Sequence, residues 1–234
     1  MTAIRSGGII AAGEGARLKS LGVPKPLVPI AGVPLVAHVL SNFEAAGIVQ
    51  AAIIFNGDEQ DCAAFVRERF ARLVPTVLVK STRSSLESFR EILAAAPPGR
   101  LLVSTVDAYC PREDFLRFVR AAERADDGEV VLAVTPFVDD EKPLWVRTAS
   151  DGVIAALGGD GGDSVTAGIY LIPERVRRMD LSSAEGRLRD FLISLRASGE
   201  PMRAVSLPKV VDVDRAADVR SAEGLAREGL GVTR

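Results

Sequence analysis

The chain has 234 residues, 47% of them hydrophobic, with 29 Lys and Arg against 31 Asp and Glu for a formal net charge of −2. That length and apolar content support a large core and are read as one α/β domain over 1–234, while a near-neutral balance with dispersed basic residues argues against a chain built to coat nucleic acid. Its opening carries no cationic and apolar leader and no run is apolar enough to span a bilayer, so no membrane partner and a cytoplasmic setting are expected.

The β-branched run through Ile9 and Ile10 breaks at Ala11-Ala12 into Gly13-Glu14-Gly15-Ala16-Arg17-Leu18, followed by Pro24-Lys25-Pro26-Leu27. A buried strand ending in glycines brings backbone amides to the mouth of an α/β sheet, where a polyanion can touch the main chain. Arg17 and Lys25 add two positive charges, and the flanking prolines predict an extended Lys25 with its ammonium presented. Together these residues predict a triphosphate site. Neither a P-loop nor a dinucleotide fingerprint fits, because Leu18 stands where the first needs a glycine before Lys19-Ser20 and where the second needs its third glycine.

A helix over 34–46, a strand over 51–55, a helix over 59–72, a strand over 76–79, a helix over 84–95 and a strand over 101–106 continue in alternation, which predicts a mostly parallel, doubly wound sheet. From 130 the rhythm becomes consecutive strands at 130–135, 144–148, 153–157 and 166–172, so this half is expected to be antiparallel in part. Helices at 184–198 and 215–229 close the chain, with a strand pair at 202–206 and 210–213 between them. Four glycines in Gly158–Asp163 read as a mobile loop over the site. His38 fits the apolar pattern of its helix, and Cys62 and Cys110 have no metal-ligand spacing and read as buried small side chains.

Three carboxylates stand out. Asp107 ends the apolar run Leu101–Val106, at the carboxyl edge where open α/β sheets bind ligands, or it caps a helix ahead of Pro111. Asp212 and Asp214 alternate on a short strand and so share a face, with one of the pair also placed to cap the following helix.

Ala-Ala-Gly-x-Gly-x-Arg-Leu followed by Pro-Lys-Pro-Leu resembles the signature loop of the nucleotidyltransferases that activate sugars and small phosphorylated alcohols. This is the superfamily of nucleotide-sugar pyrophosphorylase-like and molybdenum-cofactor-guanylyltransferase-like NTP transferases. The resemblance implies a Rossmann-like mixed, mostly parallel sheet flanked by helices, the nucleotide-diphospho-sugar transferase fold, with a nucleotide half at 1–128 and an acceptor half at 129–234. It further implies transfer of NMP from a nucleoside triphosphate to a small phosphorylated acceptor, with Mg2+ as cofactor because one anion must attack another. Asp107 corresponds to the family's first metal aspartate, and Asp212 and Asp214 to its late metal element, either being the second ligand. Ala11, Ala12, Gly13, Glu14 and Gly15 would hold the nucleotide phosphates, with Arg17 and Lys25 acting in catalysis. Thr82, Ser84 and Ser85 stand at the small-residue turn that contacts base or ribose, although Ser84 equally reads as a helix cap. Gly168, in Thr166-Ala167-Gly168-Ile169-Tyr170, matches the strand that passes the acceptor. Three departures are visible: Ala16 replaces a hydroxyl residue, Arg215 replaces a Thr, and the Glu-Lys-Pro lysine that holds an acceptor phosphate is missing from its usual place. Glu141-Lys142-Pro143 comes one hairpin early, leaving Lys209 or Arg147 to supply that charge. A regulatory homologue that binds nucleotide without transfer and a nucleotide-sugar-dependent glycosyltransferase are the competing readings, with transfer onto the molybdenum-cofactor pterin a third. The base, the acceptor and the oligomeric state are not encoded in any residue singled out here.

Overall fold

The computed structural model describes residues 3–13, 15–139, 141–181 and 186–229. Strand β1 (Ser6–Ala11) runs through two 3₁₀ turns (Ala16–Leu21 and Lys25–Leu27) and the short hairpin β2 (Pro29–Ile30) and β3 (Val33–Pro34) into helix α1 (Leu35–Ala45). Strand β4 (Gln50–Phe55), helix α2 (Gln60–Arg69), strand β5 (Thr76–Val79), helix α3 (Ser85–Ala95) and strand β6 (Leu101–Thr105) complete the alternating half. A two-residue strand, β7 (Ala108–Tyr109), precedes helix α4 (Arg112–Arg124). Strands β8 (Val130–Thr135), β9 (Trp145–Thr148), β10 (Ile154–Leu157) and β11 (Ser164–Ile172) come next, then helices α5 (Glu174–Arg177) and α6 (Leu188–Ala197). Strands β12 (Met202–Ser206) and β13 (Val211–Asp212) lead to helix α7 (Ala216–Gly229).

Nine of these strands form one mixed sheet. Strand β1 lies parallel between β4 and β6, with β5 parallel beyond β4. Strand β11 runs antiparallel to β6 and β8, and β12 lies parallel to β8. Helices cover both faces, so adjacent residues of β1 feed different cores: Ile9 packs with Val36, Phe43 and Phe115, whereas Ile10 packs with Phe89 and Ile92. Burial on both faces explains why β1 and β4 read as continuous apolar runs rather than alternating ones.

Several expectations shift. Lys25 opens a 3₁₀ turn instead of lying extended, closed by Leu27 N–H donating to the Pro24 carbonyl (2.9 Å) and Val28 N–H to the Lys25 carbonyl (3.1 Å). Helix α2 stops at Arg69, and α6 starts at Leu188, the predicted start at 184 lying outside the described residues. Helix α4 escaped the sequence reading although Phe115, Phe118, Val119 and Ala122 repeat at helical spacing and are all buried. The strands near 202–206 and 210–213 do not pair, since β12 extends the main sheet while β13 pairs with β7. The glycine-rich stretch is a turn tied to β9, with Gly158 N–H donating to the Trp145 carbonyl (2.8 Å) and Asp163 N–H to that of Val146 (2.9 Å), and none of its residues lines the cavity that opens beside Asp107 and Asp212.

The most consequential irregularity is in β11, whose register with β8 slips between Thr166 and Tyr170. Gly168 adopts φ +71 there, and a Cβ at that position would lie 2.6 Å from Thr105 Oγ1 and 2.9 Å from the Ala108 Cβ. Both strain and collision forbid a side chain. Gly168→Ala is expected to lose about 2–4 kcal/mol of stability, read by urea denaturation with an unchanged m value.

Candidate active site

Lys25 is buried, only 7% exposed, beneath the loop that leaves β1. Its Nζ donates to Asp107 Oδ2 at 2.6 Å and to Asp214 Oδ1, joining three segments far apart in sequence. Gly15, at φ +54, makes room for this lysine, since a Cβ there would sit 2.8 Å from the Lys25 Cβ. Burial disfavours the charged ammonium, but the adjoining Asp107 and Asp214 carboxylates outweigh it and raise the Lys25 pKa. Burial likewise opposes ionisation of Asp107, and Lys25 with its hydrogen bonds reverses that, holding the carboxyl below its ordinary value. Both groups are therefore charged at neutral pH.

The two-residue pairing of β7 with β13 brings the carboxylates together. Asp212 stands opposite Ala108, and Val213 N–H donates to the Asp107 carbonyl at 3.0 Å. Strand β13 ends at Asp212, so Asp214 reaches the cluster from the turn before α7 and not by strand alternation. Asp218, 2% exposed, fixes that turn by accepting from Asp214 N–H (3.0 Å) and Arg215 N–H (2.7 Å). The helix cap expected of Asp212 or Asp214 thus comes from Asp218, which an acidic residue in the first turn of the 215–229 helix could have signalled. One oxygen each of Asp107, Asp212 and Asp214 lie within 4.8 Å of one another. Three carboxylates against one ammonium leave an excess of negative charge on hard oxygen donors, a set whose chemistry fits Mg2+.

Arg17 is exposed and pairs with Glu141 (3.5 Å) and Asp214 (3.7 Å). Arg215, in the place of a threonine, pairs with Glu141 (3.5 Å), Asp139 (3.6 Å) and Asp218 (3.4 Å), so Glu141 is shared between Arg215 and Arg17 of the loop after β1. Ala11 and Ala12 are buried at the end of β1, Gly13 is exposed with open space on its Cα side, and Glu14 lies outside the described residues.

A cavity of about 210 Å³ opens beside the aspartates. Asp107 and Asp212 line it with Gly168, Tyr170, Ser85 and Arg189, among others. Neither Lys209 nor Arg147 lines the cavity, although Lys209 places its Nζ 4.2 Å from the centre of the ring of Phe137, a residue that lines it. Arg189, which does, was missed; only the meeting of α6 with the strands reveals it. Pro143 of the early Glu-Lys-Pro also lines the wall. Ser84 caps α3, accepting from Glu87 N–H (3.3 Å), and Thr82 is bonded to Ser88 (2.7 Å), while Ser85 Oγ accepts from Leu188 N–H (3.0 Å) at the cavity edge. His38 is structural, 3.0 Å from the Ile30 carbonyl and edge-on to Tyr109, and both cysteines are buried thiols.

The sheet order, the loop after β1 and the flanking helices are those of the nucleotidyltransferase fold. A MobA-like NTP transferase domain matches residues 7–174, and the chain belongs to that family. It is 30% identical over 162 residues to the bifunctional protein GlmU of Bartonella quintana, covering 69% of this chain and 28% of that one. A bifunctional IPC transferase and DIPP synthase of Rubrobacter xylanophilus is 27% identical over 235 residues, covering 92% and 50%. The chain thus spans half or less of the length of these two relatives. Among solved structures, the inositol-1-phosphate CTP transferase from T. maritima superposes with a TM-score of 0.82 over 97% of this chain and 98% of that one, at 19% identity, a likeness of fold. Among the described residues no helix is long and apolar enough to cross a membrane.

Near the loop after β1, Glu59 accepts from Asn56 N–H (3.2 Å), and the Asn56 amide donates to the Ala12 carbonyl (3.4 Å). Burial pushes the Glu59 pKa from 4.5 up to about 7. A carboxyl raised in the folded state holds its proton after the unfolded chain has released it, so stability falls as pH rises from about 4.5 to about 7 and then levels. Glu59→Gln is expected to melt above wild type at pH 8 and level with it at pH 4, as read by circular dichroism.

Proposed function

We propose that the protein is a Mg2+-dependent nucleotidyltransferase that transfers NMP from an NTP to a small phosphomonoester, either a sugar 1-phosphate or a polyol or amino-alcohol phosphate, and releases pyrophosphate. The observation that carries this reading is the gathering of Asp107, Asp212 and Asp214, two of them held by Lys25, beside a cavity at the carboxyl edge of β6. Both halves, 1–128 and 129–234, contribute to it.

In this reading backbone amides between Ala11 and Gly15, with Arg17, hold the β- and γ-phosphates. Arg17 exchanges weak, exposed pairs with Glu141 and Asp214 for a polyphosphate, an exchange of small cost. Lys25 faces the α-phosphate and stabilises charge that builds during in-line displacement. Asp107, Asp212 and Asp214 would hold Mg2+, which when bound neutralises phosphate charge. The acceptor phosphate oxygen forms the new bond to the α-phosphorus while the bond to the bridging α–β oxygen breaks, and that electron pair leaves with pyrophosphate. No general base is needed, because the acceptor is already an anion. Ser85, at the start of α3, and Gly168 both line the cavity, where this reading seats the nucleotide and the acceptor.

Pyrophosphate release, measured for each common NTP against a panel of sugar 1-phosphates, polyol phosphates and phosphocholine with Mg2+, is expected to require one NTP and one acceptor. Asp107→Ala is expected to abolish it. Lys25→Ala should lower kcat by about 10²-fold or more. A folded Lys25→Ala protein with near-wild-type turnover would overturn the role given to that lysine. Nucleotide binding with no release from any acceptor would favour a regulatory homologue, the reading that Ala16 and Arg215 invite.

A further inference from the structure

We propose that Arg215 is a positioning residue: it fastens the connection between β8 and β9, which walls the cavity beside the aspartates, to the turn that delivers Asp214. The inference rests on the nucleotidyl-transfer reading, which seats the acceptor in that cavity. Phe137, Asp139 and Pro143 of the connection line the cavity, yet its described residues lie outside helix and strand, so their places depend on what the backbone is tied to. Asp139 and Asp212 line both this cavity and a smaller cleft shared with Arg215, Asp214 and Asp218, so the arginine stands one residue removed from the acceptor space. Its guanidinium spans the two segments. Nη2 donates to the Asp139 carbonyl at 2.9 Å and to Asp218 Oδ1 at 3.4 Å, and Nε donates to Asp218 Oδ2 at 3.5 Å. The pairs with the exposed Glu141 and Asp139 carboxylates, at 3.5 and 3.6 Å, carry little weight. The carbonyl bond and the bonds to Asp218 carry more, because Asp218 is 2% exposed and already accepts from the Asp214 and Arg215 N–H groups. A planar guanidinium with five donors can serve acceptors in two segments at once, whereas a threonine at 215 is too short to span them. Removing the guanidinium leaves the backbone bonds to Asp218 intact, so Asp214 keeps its place while Asp139 loses its tie.

The test uses the whole chain with Arg215→Met, which keeps most of the stem, and Arg215→Lys, with circular dichroism melts to establish folding. With the acceptor found in the panel, Arg215→Met is expected to raise the acceptor KM by about 5- to 20-fold while the NTP KM stays within about twofold, and Arg215→Lys should recover part of the loss. An unchanged acceptor KM, or an equal rise in both, would overturn the proposal. A second readout needs no turnover: a nitroxide attached through Val138→Cys, a position 41% exposed beside Asp139 in a chain whose own two cysteines are buried, reports the mobility of the connection by electron paramagnetic resonance. Its lines are expected to sharpen in Arg215→Met and to broaden again in part in Arg215→Lys. If no acceptor in the panel supports release, sharpened lines uphold the tether while the transfer reading fails. Identical line shapes with Arg215 and with Arg215→Met overturn the proposal, whatever the KM values.

Discussion

The site depends on one buried ammonium. Lys25 carries its charge to a place where it is 7% exposed, and it is stable there because Asp107 and Asp214 accept from it. Removing one member of a buried ion pair costs roughly 3–5 kcal/mol when the partner is fully enclosed, and less where, as here, the carboxylates keep some contact with solvent. The pairing is geometric as well as electrostatic: it ties the loop after β1 to the end of β6 and to the turn before α7. Gly15 is shaped to this lysine, and Asp218 holds the turn that delivers Asp214. On the proposed reading, a polyphosphate arriving at the loop meets Lys25 already in position, so little binding energy is spent on ordering it.

The rest of the architecture serves that junction. Parallel strands β4, β1 and β6 end at one edge, with helices on both faces supplying the cores that hold them rigid. The slip in β11 at Gly168 opens the wall next to Thr105 and Ala108, and the cavity begins there. Arg17, Glu141 and Arg215 form an outer ring of exposed ion pairs, which contribute little stability.

How much of this was legible in the sequence follows from how local each signal is. The strand into Gly13 and Gly15, Asp107 at the end of an apolar run, and the spacing of Asp212 and Asp214 are local patterns, and the chain folds them into one cluster with Lys25. The conformation of Lys25 was not legible, because burial against two distant carboxylates overrides the preference that the following proline imposes. The β7–β13 pairing involves two residues on each strand and joins segments about a hundred positions apart, too short for any periodicity to announce. Arg189 escaped for the same reason: only packing of α6 against the strands turns a residue of an amphipathic helix towards the cavity. Helix α4 is different, since Phe115, Phe118, Val119 and Ala122 carried a readable pattern that was passed over.

We propose that the three aspartates form one divalent-cation site with Lys25 as its built-in counter-charge. Mn2+ titration followed by electron paramagnetic resonance, on wild type and on Asp107→Asn, Asp212→Asn and Asp214→Asn in the presence of saturating triphosphate, tests it most directly. Mn2+ is expected to bind, with an affinity that falls by about tenfold or more in Asp107→Asn and in at least one of the other two variants. Mn2+ affinity unchanged in all three, with the proteins folded, would contradict it.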